Sequence, residues 1–235
     1  MGRIIKHIPN GITCLNLFSG CLSCVAAMNG MYQAVALCLA FSAIFDFLDG
    51  MSARLLNAYS PLGKELDSLA DMVSFGLAPG LLVYHIYGSM FMPEWLSGYA
   101  MYVPYLAFLI PVFSALRLAK FNIDERQSVS FIGLPTPANA IFFVGLSFLM
   151  TKYEEAVNVY MLTAIVMLFS YLMVSEIPMF SLKVKNWSWQ GAKSQYILIA
   201  FSVLCLSLFG IGGLAVVILI YVIMAIFEQM VGTKQ

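Results

Sequence analysis

Charge is what this chain has least of: only 10% of its 235 residues are Asp, Glu, Lys or Arg, while 61% are apolar. That balance excludes an ordinary water-soluble domain. The 12 basic and 12 acidic residues cancel, which removes the electrostatic footprint of a nucleic-acid-binding surface. Histidine is nearly absent, with only His7 and His85. Cysteines 14, 21, 24, 38 and 205 lie in apolar segments without the paired C-x-x-C spacing of a zinc site, so they read as small packing residues. No polar stretch is long enough for a separate soluble domain. The basic start, Met1 to Pro9, leads into an apolar segment without a small-residue cleavage site, so it reads as a retained first helix.

What is present instead is a series of apolar runs near the roughly 20 residues needed to cross a bilayer core. They fall at about 11–28, 32–54, 63–86, 99–120, 135–152, 157–175, 194–210 and 212–230. The expected fold class is therefore all-α, a polytopic transmembrane helix bundle of about eight spans. Gly210, Gly212 and Gly213 separate the last two runs and suit either a tight hairpin or a kink in one long segment. With the amino terminus in the cytoplasm, Arg3, Lys6, Arg54, Lys64, Arg117, Lys120, Arg126, Lys183, Lys185, Lys193 and Lys234 fall on that side, and Lys152 alone falls outside. This positive-inside bias predicts both termini in the cytoplasm.

Against that apolar background, four aspartates stand out. Asp46 and Asp49 close the second run, and Asp67 and Asp71 open the third. Helical periodicity places Asp46, Asp49, Gly50 and Ala53 on one face, and Gly63, Asp67 and Asp71 on one face of the next helix. Asn57-Ala58-Tyr59-Ser60-Pro61 reads as a short turn with Pro61 starting the third helix, which predicts antiparallel neighbours. An aspartate at mid-membrane costs on the order of 2.5–3.5 kcal/mol, and four together also repel. Arg54 and Lys64 are too few to neutralise them and Glu65, so divalent metal of the Mg²⁺ or Mn²⁺ type, in a two-ion site, is the better match. Gly50, Ala53 and Gly63 suit either close helix packing or close approach of a ligand. Beside metals and Arg54, a pyrophosphate is the ligand they favour.

The run Asp46-x2-Asp49-Gly50-x2-Ala53-Arg54-x8-Gly63-x3-Asp67-x3-Asp71 resembles the full signature of the CDP-alcohol phosphotransferase family, with every fixed position in agreement. Further segments resemble its bacterial and archaeal phosphatidylserine synthase branch: Ile8 to Thr13 with Asn16-Leu17, Val73 to Pro79, Leu116 to Asn122 and Gly133-Leu134-Pro135. The resemblance covers about residues 8 to 180, so 1–180 is expected to be the catalytic membrane core. Residues 181–235 are expected to form a cytoplasmic connection and a carboxy-terminal hairpin.

The resemblance implies transfer of a phosphatidyl group from CDP-diacylglycerol to L-serine with release of CMP, in an enzyme of the cytoplasmic membrane, often a homodimer, with its active site on the cytoplasmic side. It implies that Asp46, Asp49 and Asp67 hold metal, while Asp71 helps hold a second ion and acts as general base. Gly50, Ala53 and Gly63 would admit the cytidine and its phosphates. Asn10 and Thr13 suit either the nucleotide or a helix cap. Arg117, Lys120 and Arg126 suit the serine carboxylate, a phosphate, or anchoring at lipid head groups. Gly133 to Pro135 suits either the serine ammonium or a plain helix-start turn. His7, His85 and the aromatics Tyr84, Tyr87, Trp95, Tyr99, Trp187 and Trp189 are assigned no chemistry; the aromatics are expected at the membrane interfaces. Two other readings remain: another acceptor, such as glycerol 3-phosphate or inositol phosphate, and a cation-coupled transporter.

Overall fold

The computed structural model describes residues 7–124, 131–153, 157–179 and 193–232. Arg3, Lys6, Arg126, Lys183, Lys185, Trp187, Trp189 and Lys234 lie outside these residues. Among the described residues are the helices α1 (Ile8–Met28), α2 (Tyr32–Leu55), α3 (Pro61–Gly88), α4 (Val103–Ile123), α5 (Thr136–Lys152), α6 (Val159–Val174), α7 (Lys193–Phe209) and α8 (Gly213–Gly232). Each apolar run of the sequence thus carries one helix. The segments Ile8–Met28, Tyr32–Leu55, Pro61–Gly88, Val103–Ile123 and Gln195–Met230 are long and apolar enough to cross a membrane. Large apolar side chains such as Phe18, Phe47 and Leu55 point away from the bundle, where lipid and not water is the fitting surroundings.

Local chemistry sets the helix ends. Ser60 caps α3 by accepting from the Gly63 amide at 2.9 Å, and Pro61 occupies the first turn, where no amide proton is needed. Asn57, just before, takes a left-handed conformation (φ 48°), one that asparagine tolerates better than most residues. Asn158 caps α6 through the Met161 amide at 2.9 Å. Two helices depart from regular winding. Residues Met72–Leu77 of α3 form a π-helical turn directly after Asp71, and α4 opens with a 3-10 segment, Val103–Phe108.

The packing order differs from the simple α2–α3 pair that the short connection suggested. α1 packs most extensively on α2 and also along α3, so α2 and α3 touch little except at their carboxylates. Small residues allow this: Ser19, Gly20 and Ser23 of α1 are buried, and a side chain at Gly20 would run into Ser74. Below the carboxylates, Phe142 of α5 stacks on Phe169 of α6 with ring centroids 3.7 Å apart. Tyr87, expected in an interfacial belt, is instead fully buried and shares a 2.9 Å hydrogen bond with Thr163. Burial rewards its ring, and the threonine satisfies its hydroxyl.

The last two helices form a hairpin and not one kinked rod. Gly210 (φ 59°) makes the reversal, and a side chain at Gly213 would strike the Cys205 carbonyl. α8 then lies on α5, with Gly145 against Ala215 and Leu149 against Gly212. A two-residue antiparallel pairing joins Phe131–Ile132 (β1) to Pro178–Met179 (β2).

Candidate active site

The aspartates converge because two helix ends meet. Asp46 and Asp49 lie one turn apart near the end of α2, and Asp67 lies in the second turn of α3. One oxygen from each falls within 4.8 Å of the others. At such spacing each pair of charges would repel by about 3 kcal/mol at an effective dielectric near 20. Yet no basic side chain forms an ion pair with them among the described residues. Asp49 Oδ2 and Asp67 Oδ1 are buried without any hydrogen-bond partner. Clustered hard oxygen donors with unsatisfied lone pairs fit a hard divalent cation, and these residues could hold one.

Asp71 is held differently. Asn16 of α1 donates from Nδ2 to Asp71 Oδ1 at 3.1 Å, while its own Oδ1 accepts from Ser74 Oγ at 2.8 Å. The Asn16 carbonyl also accepts from Ser74 Oγ at 3.1 Å and from Ser42 Oγ at 3.3 Å. One fully buried residue therefore ties α2, α3 and Asp71 together. Since Ser74 occupies the amide oxygen, the nitrogen is left to face the carboxylate. Asn16 carried no assigned role from the sequence. Its position in an apolar run, where a buried amide requires partners, was the available signal.

Beside the carboxylates opens a cavity of about 520 Å³. α1 contributes Pro9, Asn10 and Thr13; α2 contributes Asp49, Gly50 and Ala53; the turn and α3 contribute Tyr59, Ser60, Gly63, Lys64 and Asp67. Gly50 opens onto free space: a Cβ there would meet nothing within 4 Å. At Gly63 the approach is tight, since a Cβ would sit 2.9 Å from Asn10 Oδ1 and 3.0 Å from Ser60 Oγ. Five of the six residues expected at the nucleotide thus surround one cavity. Arg54 does not; it is exposed at the end of α2. Lys64 supplies a cation on the cavity wall, with Nζ donating to the Asn122 carbonyl at 2.9 Å.

The residues expected at the acceptor separate from one another. Arg117 is buried, with Nη1 donating to Thr136 Oγ1 at 3.5 Å, its guanidinium 5.6 Å from the Phe121 ring centroid and Nε without a partner. Lys120 instead forms a 2.7 Å ion pair with Glu176 at the surface, an arrangement worth at most about 1 kcal/mol. Gly133 has φ 76° and donates its amide to the Ile177 carbonyl at 2.8 Å; Pro135 then precedes α5 at its cap position. Their geometry builds the turn into α5. His85 sits far from the carboxylates, its ring against Gly30 and Tyr32.

Sequence comparison supplies the remaining finding. The profile of the CDP-alcohol phosphatidyltransferase family matches residues 6–176. A Helicobacter pylori protein named CDP-diacylglycerol–serine O-phosphatidyltransferase is 37% identical over 186 residues, covering 77% of this chain and 74% of its own length. A Bacillus subtilis protein of the same name is 35% identical over 178 residues, covering 74% of this chain and 89% of its own. A Methanocaldococcus jannaschii protein, again of that name, is 33% identical over 234 residues, 98% of each chain. With its aspartate signature folded into one cluster beside a cavity, and the family profile spanning most of its length, this integral membrane protein belongs to the CDP-alcohol phosphatidyltransferase family.

Proposed function

We propose that the protein transfers the phosphatidyl group of CDP-diacylglycerol to L-serine, releasing CMP. The observation that carries this reading is the cluster of Asp46, Asp49 and Asp67 beside a roomy cavity, with Asp71 set apart and oriented by Asn16. The names of relatives 33–37% identical to the chain favour serine as the acceptor.

The cavity walls divide the work. Gly50, Ala53 and Gly63 leave room for the nucleotide, with Asn10 and Thr13 at its edge and Lys64 supplying positive charge. Two divalent ions, Mg²⁺ or Mn²⁺, held by Asp46, Asp49 and Asp67 with help from Asp71, would neutralise charge on the pyrophosphate oxygens. Asp71 takes the proton from the serine hydroxyl. The serine oxygen then bonds to the lipid-side phosphorus as the bond to the CMP oxygen breaks. General-base catalysis of this kind contributes about 10²–10⁴-fold.

Buried Arg117, with its Nε without a partner, is the natural anchor for the serine carboxylate, since a guanidinium receives two carboxylate oxygens at once. A phosphorylated acceptor would bring a second negative charge to a place where Lys120 is already paired with Glu176. The bias of basic residues to one side supports a site at the cytoplasmic edge with both termini cytoplasmic.

The test is an acceptor panel with purified protein, CDP-diacylglycerol and Mg²⁺ or Mn²⁺. Serine should yield phosphatidylserine and stoichiometric CMP. Equal or faster transfer to glycerol 3-phosphate or inositol phosphate would overturn serine as the acceptor. Asp71→Asn should retain CDP-lipid binding while turnover nearly stops; normal turnover would remove Asp71 from the base role.

A further inference from the structure

A cation on the cavity wall is fastened by a neighbouring helix. Lys64 lines the cavity one turn before Asp67, about 4.5 Å along α3. Its ammonium donates to the Asn122 carbonyl at 2.9 Å, and Asn122 lies in the last turn of α4. The final carbonyls of a helix have no amide partner within it and carry the negative end of its dipole, so this carbonyl is a suitable seat for a cation.

The Asn122 side chain closes a ring. Its Nδ2 donates to Ser68 Oγ at 2.8 Å, and Ser68 Oγ donates to the Lys64 carbonyl at 3.3 Å. Lys64 and Ser68 lie one turn apart on one face of α3, so Asn122 grips that face at two points. Gly63 and Asp67, each one position earlier, line the cavity. Lys64 forms no ion pair among the described residues. An ammonium has three donors, and the Asn122 carbonyl takes one, which leaves the others for an anion in the cavity. A lysine without a tether spreads over many rotamers and loses that freedom on binding; the tether removes part of this cost in advance.

We propose that Asn122 is a positioning residue for the donor's diphosphate: it holds the Lys64 ammonium at the cavity wall, where phosphate oxygens of the CDP moiety meet it. The inference rests on the CDP-lipid reading above and is independent of which alcohol accepts. Asn122 acts through Lys64 and not on the ligand itself. The end of α4 thus fixes a cation that α3 alone would leave unfixed.

The experiment measures the dissociation constants of CDP and of cytidine by titration calorimetry on purified protein in detergent with Mg²⁺, for wild type, Lys64→Gln, Asn122→Ala and the double variant. Cytidine lacks the phosphates, so the ratio of the two constants isolates phosphate recognition. Lys64→Gln should weaken CDP about tenfold and leave cytidine in place. Asn122→Ala should weaken CDP about threefold or more, again without effect on cytidine. In the double variant it should add nothing to Lys64→Gln, because the group it positions is already gone. Additive losses, or equal losses for CDP and cytidine, overturn the positioning role. Should Asn122→Ala not fold, Asn122→Asp decides at unchanged size: its carboxylate draws the ammonium from the phosphate, and CDP binding at wild-type strength overturns the proposal. Wild-type protein that binds CDP no more tightly than cytidine overturns the CDP-lipid reading and this inference with it. Selective, non-additive loss of CDP binding upholds the inference even where the acceptor panel rejects serine.

Discussion

The Asn16 amide nitrogen lies 3.1 Å from Asp71 Oδ1, linking residues 55 positions apart, and the Asn16 oxygen is already engaged by Ser74. The amide therefore cannot turn over without losing both bonds. Asn16→Ala should lower kcat by about 10- to 100-fold, the range for losing one or two hydrogen bonds to a charged group, with little change in KM for CDP-diacylglycerol. Steady-state kinetics with both substrates varied would check this. A rise in KM for the lipid with kcat intact would place Asn16 at the nucleotide and not behind the base.

Removal of metal bears on fold as well as rate. The three carboxylates of Asp46, Asp49 and Asp67 converge without a cationic partner among the described residues, so a bound ion relieves repulsion in the native state. Chelation should abolish turnover and lower Tm, and Mg²⁺ or Mn²⁺ should restore both. Asp46→Asn should weaken the metal dependence of activity while raising Tm in chelator, because one repelling charge is gone. Thermal unfolding followed with and without metal would show it; equal Tm values under both conditions would count against a metal at this cluster.

Three glycines should respond differently to the same added methyl group. Gly50→Ala meets open space, so stability should hold while KM for the CDP-lipid rises. Gly63→Ala presses on Asn10 and Ser60 at 2.9 and 3.0 Å, so it should raise KM and loosen the start of α3. Gly133→Ala places a Cβ 2.5 Å from the Met173 carbonyl at φ 76°, and should destabilise by about 2–4 kcal/mol from backbone strain and overlap. Denaturation and kinetics on the three variants separate these effects.

Much of this was legible in the sequence because it is local. The eight apolar runs, the Ser60-Pro61 helix start and the aspartate spacing each depend on residues within a turn or two of one another. The cluster itself followed from one short connection between two amphipathic ends. What could not be read depends on packing between distant segments. The wedge of α1 between the aspartate helices is set by Ser19, Gly20 and Ser23, whose small size reads equally well as unremarkable composition. Arg54 has the spacing of a phosphate ligand, yet the last turn of α2 turns it outward. Tyr87 has the composition of a membrane-belt residue, and only Thr163, 76 positions away, explains its burial. Arg117 showed its unusual position in an apolar register, but its partner Thr136 on α5 lay beyond any local pattern.

The π-helical turn at Met72–Leu77 takes in one residue more than regular winding would, and each residue is worth roughly 100° of rotation. It acts as a phase joint within a single rod. Above it, Asp67 and Asp71 are aimed at the cavity and at Asn16; below it, Leu82, Val83 and Tyr87 are aimed at the core. The two halves of α3 can thus each be keyed to different neighbours, so that the demand of the chemistry for one orientation and the demand of packing for another do not compete along the same helix.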